Sequence, residues 1–319
     1  MSAPDDIVID VEGLTKTFGK QVAVRNLSIK VKRRLIYGFL GPNGSGKTTT
    51  LRMLTGLLRP DGGHGTCLGY DILRQSAEIK RHVGYMTQRF SLYADLTIRE
   101  NLEFVARIHT LPHPRDRAQE AIVRLGLESR AGQLAGSLSG GWKQRLALGA
   151  CILPGPELLL LDEPTAGVDP QARRDFWDEI HALAADGLTA LVSTHYMDEA
   201  ERCHELAFIS YGDLLATGPV EEIIARSNLS TYTVGGPDLD ALSRRLKSLP
   251  GIDNIAPFGN ALHVSGRDGA ALEESIGPLV EAGPQHWQKS APTIEDVFID
   301  LVSRPKGALA APSKDGRNA

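Results

Sequence analysis

Residues 7–31 alternate apolar and polar side chains, with Ile7, Ile9 and Val11 as one such series. Period-two alternation is typical of strands with one buried face, so we predict antiparallel strands in this segment. The run LIYGFLG, from Leu35 to Gly41, is instead continuously apolar. It predicts a strand that is covered on both faces.

Further apolar runs occur at Leu158–Leu161, Thr189–Ser193 and Leu206–Ser210, and a predicted helix separates each from the next. Strand–helix alternation of this kind is typical of a mainly parallel sheet. The expected fold class is therefore α/β, with a mainly parallel core sheet and an antiparallel β subdomain.

The middle of the chain, residues 97–152, carries a helical pattern and predicts an α-helical subdomain. Thr97 precedes the apolar-periodic stretch ENLEFVARIHTL, and Glu100 stands three residues later. This spacing is that of a capping box, in which the two residues satisfy each other's backbone N–H groups. We therefore predict that a helix begins just after Thr97.

The pattern changes again after about Pro219. Short strands and two helices, predicted at Asp238–Leu249 and Ala270–Ala282, follow one another in the order β-α-β-β-α-β. That order predicts a small two-layer α+β domain.

The chain length of 319 residues accommodates one large domain and a small second one. We predict a first domain over residues 7–226 and a C-terminal accessory domain over residues 227–302. The terminal segments 1–6 and 303–319 lack apolar periodicity, so we predict that both are disordered.

Charge and cysteine content argue against several classes of protein. The formal net charge is −4, so no general basic field favours a nucleic acid as partner. The three cysteines lie far apart and lack ligand spacing, which disfavours a cysteine metal site or a disulfide framework. The N terminus has no apolar core of a secretory signal, and no apolar run approaches the roughly 20 residues that cross a bilayer. Any membrane role therefore requires a partner.

A glycine-rich loop follows the buried strand and precedes a helix. GPNGSGKT, from Gly41 to Thr48, matches the G-x-x-x-x-G-K-[ST] pattern of phosphate-binding loops. Glycines let the backbone N–H groups approach phosphates, Lys47 reaches the β- and γ-phosphates, and the Thr48 hydroxyl ligates Mg²⁺. An ordinary strand–helix turn is the alternative, which the full motif disfavours. The predicted nucleotide-binding residues are Gly41, Pro42, Asn43, Gly44, Ser45, Gly46, Lys47, Thr48 and Thr49.

An acidic pair ends the apolar run LLLLDE. A strand here brings Asp162 to the carboxyl edge of the sheet, where an aspartate holds Mg²⁺. Glu163 is then placed to orient or deprotonate an attacking water. Helix capping is the competing interpretation, but Asp169 before Pro170 is the better cap.

LSGGWKQR, from Leu138 to Arg145, resembles the signature motif of ATP-binding-cassette (ABC) ATPases. Over about residues 7–226 the remaining motifs follow in the order of that family. They are Walker A at Gly41–Thr48, the Q-loop glutamine Gln88, the signature Leu138–Trp142, Walker B at Leu158–Asp162, the D-loop Ala166–Asp169 and the switch histidine His195. The resemblance implies the P-loop NTPase fold of ABC ATPases and an ATPase that uses ATP and Mg²⁺.

The resemblance also implies roles for single residues. Gln88 would sense Mg²⁺ and the attacking water, His195 would contact the γ-phosphate, and Phe18 would stack on adenine. Taken alone, Phe18 is equally well a core residue. An isolated glutamine such as Gln88 is usually a solvated loop residue, and a lone histidine such as His195 is more often structural. The expected catalytic residues are Lys47, Gln88, Glu163 and His195, and the expected metal-binding residues are Thr48, Gln88 and Asp162.

In this family two cassettes pack head to tail, and each ATP lies between one Walker A loop and the partner's signature. Ser139, Gly140 and Gly141 would therefore contact ATP bound by a second copy of the chain or by a related ATPase subunit. Glycines permit the close approach, and the following helix directs its N-terminus at the anion.

Two classes of ABC protein compete: a transporter subunit, and a soluble ABC ATPase of repair, translation or assembly. The single uninterrupted cassette favours the transporter, as do Phe90, Leu92 and Tyr93 in a segment that receives the coupling helix of a membrane permease in this family. The segment PTIEDVFIDLV, residues 292–302, resembles the end of export-type ATPases. The expected location is peripheral, at the cytoplasmic face of the cell membrane, or cytoplasmic when unassembled. The sequence does not name the cargo.

Overall fold

The computed structural model describes residues 6–303. The chain divides into two compact units, Met1–Leu214 and Leu215–Ala319. This division falls earlier than the predicted boundary at residue 226. The helix Val220–Ser227 lies in the second unit, where it packs against the helix Ile294–Ser303.

The terminal segments predicted to be disordered fall outside the described residues, except for one residue at each end. The backbone carbonyl of Asp6 accepts a hydrogen bond from Arg33 N at 2.8 Å. Ser303 is the last residue of a helix. The structure differs from the prediction of disorder at these two residues.

Within the described range, the first unit contains ten strands and seven α-helices, and its last strand crosses into the second unit. In chain order they are β1 (Ile7–Phe18), β2 (Gln21–Lys32), β3 (Ile36–Leu40), α1 (Lys47–Leu54), β4 (Gly62–Cys67), β5 (Tyr70–Asp71), α2 (Ser76–His82), β6 (Val83–Met86), α3 (Ile98–Ile108), α4 (Pro114–Arg124), α5 (Gly140–Ile152), β7 (Leu158–Asp162), α6 (Pro170–Ala185), β8 (Thr189–Thr194), α7 (Met197–Ala200), β9 (Glu205–Ser210) and β10 (Asp213–Gly218).

The core sheet has six strands in the order β10-β9-β3-β8-β7-β6. Strands β9, β3, β8, β7 and β6 run parallel. Every residue of β3, β7 and β8 is buried, as expected of strands covered on both faces. Because β3, β8 and β7 are neighbours, their carboxyl ends meet at one edge of the sheet. The parallel α/β core predicted from the sequence is confirmed.

A second, antiparallel sheet has the strand order β2-β1-β4-β5. Its first two strands pair in a register that sets Ile9 opposite Val31 and Val11 opposite Ile29. These side chains are buried, so the alternation in the sequence corresponds to one face of this sheet. The antiparallel strands predicted for residues 7–31 are confirmed.

Helices α3, α4 and α5 form the α-helical subdomain around buried residues that include Leu102, Ile122 and Leu146. The capping box before α3 is present: Thr97 Oγ1 accepts from Glu100 N at 3.2 Å, and Glu100 Oε2 accepts from Thr97 N at 2.8 Å. The predicted start of this helix is therefore confirmed.

The second unit contains α8 (Val220–Ser227), β11 (Ser230–Gly235), α9 (Leu239–Leu246), β12 (Asn254–Phe258), β13 (Ala261–Gly266), α10 (Gly269–Ala282), β14 (His286–Ser290) and α11 (Ile294–Ser303). The strands form one antiparallel sheet in the order β12-β13-β11-β14. The segment β11 to β14 has the predicted β-α-β-β-α-β order. A separate core, with Val234, Val264 and Leu272 among its members, packs the sheet against helices.

Between residues 6 and 303, no helix combines the length and the apolar character that a membrane span requires.

Candidate functional site

The glycine-rich loop connects β3 to α1 at the carboxyl edge of the core sheet. A Cβ atom on Gly41 would lie 2.1 Å from Ile209 O, and one on Gly46 would lie 2.3 Å from Ala23 O. Gly46 also has a φ of 105°, in the left-handed region that favours glycine. The path of the loop therefore requires glycine at these two positions.

Lys47 lies buried at the base of this loop. Its Nζ donates to Gly41 O at 2.7 Å and to Pro42 O at 3.1 Å. Burial lowers the pKa of Lys47, and the neighbouring Glu163 carboxylate opposes that change. The buried Ser45 Oγ makes no hydrogen bond to any residue that the structure describes. An unsatisfied hydroxyl in a loop of this shape fits a phosphate ligand.

The other predicted residues of the loop occupy its tip and the first turn of α1. Asn43 and Gly44 are exposed, while Thr48 and Thr49 are half-buried. All of the predicted loop residues therefore lie on one continuous segment at the carboxyl end of β3.

Asp162 is buried at the end of β7, next to the loop. Its Oδ1 accepts hydrogen bonds from Thr48 Oγ1 at 2.9 Å and Ser193 Oγ at 2.8 Å, and its Oδ2 lies 3.4 Å from the donor Tyr85 OH. Hydroxyl and carboxylate oxygens are the ligands that Mg²⁺ prefers. Within residues 6–303 no cluster of three or more His, Cys, Asp or Glu side chains could hold a metal ion. A cation at Thr48 and Asp162 would therefore need phosphate or water as its other ligands.

Three predicted catalytic side chains meet at Glu163. Lys47 Nζ lies 3.2 Å from Glu163 Oε1, and Gln88 Nε2 donates to Glu163 Oε2 at 3.0 Å. His195 Nδ1 lies 3.3 Å from the same Oε2, but without the geometry of a hydrogen bond. The four residues come from separate segments of the chain, which the parallel sheet brings together.

The backbone of Glu163 is held in a conformation that is uncommon for residues with a side chain. Its φ is 47°, in the left-handed region. Its N–H donates to Ser193 O at 3.1 Å and to Ser193 Oγ at 3.0 Å. Such a conformation persists where the surroundings hold it, and it occurs often at active sites. Ser193 thereby holds the backbone from which the Glu163 side chain extends.

The structure places the remaining predicted residues elsewhere. Ser139, Gly140 and Gly141 form the N-terminus of α5 in the helical subdomain. Ser139 and Gly140 are exposed, and the Ser139 side chain does not cap its own helix. Phe18 is 51% exposed at the end of β1, with Lys16 Nζ at 5.7 Å from its ring centroid. This exposure argues against the core interpretation of Phe18.

Sequence reasoning missed two residues that contact Asp162 and Glu163. Ser193 bridges Asp162 Oδ1 and Glu163 N, and Tyr85 approaches Asp162 from β6. Both lie at or near the carboxyl ends of strands that neighbour β7. Both residues could have been found from the predicted parallel sheet, because polar side chains near the carboxyl ends of neighbouring parallel strands come close together.

Comparison with known proteins agrees with this geometry. The model of the family described as "ABC transporter" matches residues 24–166. The chain is 37% identical over 305 residues to the "Nod factor export ATP-binding protein I" of Ralstonia nicotianae, with 93% of this chain and 94% of that protein aligned. The chain belongs to the ABC transporter family. This ABC protein is also 44% identical over 229 residues to the "Probable multidrug ABC transporter ATP-binding protein YbhF" of Escherichia coli.

The match to YbhF covers 70% of this ABC protein but only 39% of the length of YbhF. A nucleotide-free ATP-binding cassette from an ABC transporter has a similar structure, with a TM-score of 0.63 and 27% identity. That match covers 69% of this chain and 94% of the cassette. The chain is thus an ABC transporter ATP-binding protein and an ATPase, and the expected ABC ATPase fold is confirmed.

Proposed function

We propose that this chain hydrolyses ATP at the composite site of a head-to-tail dimer and thereby drives a separate membrane permease. The observation that carries the proposal is the convergence of Lys47, Gln88 and His195 on Glu163, beside the Thr48–Asp162 pair. Phosphoryl transfer to water requires a cation that binds the phosphates and a carboxylate that acts on the water. Lys47 and Glu163 are these two groups, and the polar side chains of Gln88 and His195 contact the Glu163 carboxylate.

Each side chain has a defined task in this proposal. The loop Gly41–Thr49 holds the phosphates through its backbone N–H groups, and Lys47 leaves the Gly41 and Pro42 carbonyls to bind the β- and γ-phosphates. Thr48 and Asp162 would hold Mg²⁺, and Gln88 would contact its water shell. The ion would supply neutralisation of the phosphate charge.

The chemical step transfers the γ-phosphoryl group to water. Glu163 accepts a proton from the attacking water, the new P–O bond forms, and the bond to the ADP oxygen breaks. His195 contacts the γ-phosphate from the end of β8 and keeps the water in line. Most of the rate enhancement in such reactions comes from positioning and from stabilisation of charge.

The N-terminus of α5 supports the role assigned to a second copy. Ser139 occupies the N-cap position, yet its hydroxyl is exposed and does not bond to its own helix. The first N–H groups of a helix attract anions, and Gly140 adds no side chain that would block a phosphate. We assign Ser139, Gly140 and Gly141 to the ATP that the partner copy binds, while Phe18 stacks on the adenine in its own subunit.

The segment after Gln88 supports a contact with a membrane permease. Phe90 and Leu92 pack against the core of the helical subdomain, while Tyr93 is 52% exposed. A cavity of about 160 Å³ lies beside Leu92, and Thr87 and Val105 also line it. This recess has room for an apolar side chain of a docked helix, and a helix-in-groove contact is what we expect of a permease at the cytoplasmic face of the membrane.

Export is the proposed direction of transport. Relatives that align with 93% of this chain are named for Nod factor export, linearmycin resistance and daunorubicin resistance. These names favour a transporter over a soluble ABC ATPase of repair, translation or assembly.

The test of coupling to a permease is co-purification of the tagged full chain from detergent-solubilised membranes of its native host. We expect a protein with several apolar spans of about 20 residues to co-purify. Tyr93→Asp should abolish that association, and the matched control Tyr211→Asp, at an exposed tyrosine directly after β9, should retain it. Recovery of ribosomes or nucleic acid in place of a membrane protein would overturn the transport proposal.

A further inference from the structure

The imidazole of His195 is oriented by packing rather than by a hydrogen bond. Its buried Nδ1 makes no hydrogen bond within residues 6–303, although Glu163 Oε2 is 3.3 Å away. The ring of Tyr196 lies against it, with ring centroids 4.1 Å apart and planes tilted by 37°. The direction of the imidazole therefore depends on where the Tyr196 ring is held.

Tyr196 is held in turn by Arg173. The guanidinium carbon of Arg173 lies 4.2 Å from the centroid of the Tyr196 ring, in the range of a cation–π contact. Arg173 belongs to the first turns of α6, the helix that begins just after Asp169. The position of the Tyr196 ring is thus tied to the helix that follows the D-loop.

The buried carboxylate of Glu199 fixes this arrangement. Glu199 is 1% exposed, and its Oε1 lies 3.5 Å from Arg173 Nε. The same carboxylate accepts hydrogen bonds from the hydroxyls of Thr165, two residues after Glu163, and Thr194, the residue before His195. A buried carboxylate is tolerated only where it is paired in this way. Glu199 therefore connects the segment that carries Glu163 to the segment that carries His195.

We infer that Tyr196 and Arg173 are positioning residues that hold the His195 imidazole beside Glu163, with Glu199 as their anchor. This inference rests on the proposed function, because it assigns a partner to the histidine of the hydrolytic site. Movement of α6 and the D-loop, as in dimer closure, would be transmitted to His195 through the Arg173–Tyr196 contact. Neither side chain has to touch ATP.

Turnover by the purified full chain tests the role of Tyr196. Tyr196→Ala removes the ring, and we expect kcat to fall about 10-fold or more while the KM for ATP and the Tm stay close to wild type. Tyr196→Phe retains the ring and should restore most of the activity. Loss of activity in both variants, or a kcat for Tyr196→Ala equal to wild type, would overturn the inference. A fall of Tm in Tyr196→Ala without a specific loss of kcat would assign the ring a stabilising role alone.

A double-mutant cycle tests whether Tyr196 acts through His195. In a His195→Ala background, Tyr196→Ala should change kcat by less than about 2-fold, because the group that it positions is already absent. Independent, multiplicative losses would mean that Tyr196 acts on something else.

Arg173 provides a second, independent variant. Arg173→Lys keeps a positive charge near Glu199 but removes the guanidinium that lies over the Tyr196 ring, so it should lower kcat with little loss of stability. If Arg173→Lys left kcat unchanged, Arg173 would serve only to balance the charges of Glu199 and Asp198, whose Oδ2 lies 3.5 Å from Arg173 Nη1, and its positioning role would be overturned. Glu163→Gln is the control for the proposed function itself, because near-normal turnover by this variant would refute the hydrolytic site. If Glu163→Gln lost turnover while Tyr196→Ala kept full activity, only the positioning role of Tyr196 would be refuted.

Discussion

Lys47 Nζ and Glu163 Oε1 lie 3.2 Å apart, with side-chain exposures of only 4% and 9%. The cation expected to bind phosphate and the carboxylate expected to act on water therefore form a buried ion pair. A bound γ-phosphate competes for the same Lys47 ammonium, because it offers a stronger, charge-assisted partner. Binding of ATP would thus release Glu163 for contact with water.

This pairing predicts a split effect for Glu163→Gln. The amide cannot accept the proton of the attacking water, so hydrolysis should fall by roughly 10²–10⁴-fold. Binding of ATP should be kept or strengthened, because Lys47 no longer has to leave a carboxylate. Single-turnover hydrolysis and equilibrium binding of ATP to the same preparation measure the two effects. Weaker binding together with near-normal hydrolysis would remove Glu163 from the role of base.

A mixing experiment tests the composite site. Lys47→Ala disables the phosphate-binding loop, and Ser139→Arg blocks the signature, so each variant alone should be inactive. In a head-to-tail dimer, the mixed pair contains one intact site, made from the loop of one variant and the signature of the other. Random pairing should therefore restore turnover to about a quarter of the wild-type value. No recovery, with both variants folded and able to form dimers, would contradict the cross-subunit assignment of Ser139.

Much of the fold followed from the sequence because local pattern and tertiary position agree. The alternation in residues 7–31 corresponds to one buried face of β1 and β2. The apolar runs of β3, β7 and β8 correspond to strands buried on both faces. Thr97 and Glu100 marked the start of α3 because a capping box requires only local contacts.

The contacts that orient the site residues were not predictable from the sequence. Ser193 lies 30 residues from Glu163 along the chain, yet its hydroxyl accepts from the Glu163 N–H. Glu199 resembles any acidic residue of a surface helix until the fold buries it. In the second unit, Asp296 and Asp300 of α11 are buried acids. The sequence of this segment does not show which of its acidic side chains faces the sheet.

We expect His181 to make the folded chain less stable at acidic pH. Burial lowers its pKa from the ordinary value of 6.5, and the nearby His204 and Arg202 lower it further. His181 therefore binds a proton more readily in the unfolded chain than in the folded one. The stability that the neutral imidazole contributes is present above pH 6.5 and is lost as the pH falls below that value. Denaturant unfolding as a function of pH measures the effect. His181→Gln should flatten the slope in this window relative to the wild-type chain.

The contacts of Asp296 indicate that the segment PTIEDVFIDLV stabilises the second unit. His263 Nδ1 lies 3.1 Å from Asp296 Oδ1, and both residues are buried. The other carboxylate oxygen accepts from Thr293 N and Thr293 Oγ1, each at 2.8 Å, so Asp296 both caps α11 and joins it to β13. Asp296→Ala leaves His263 and the first turn of α11 without their partner, and should cost about 3 kcal/mol of unfolding free energy. Denaturant unfolding of the full chain measures this loss, with the exposed Glu274→Ala as the matched control. Equal stability of the two variants would mean that apolar packing alone holds α11 in place.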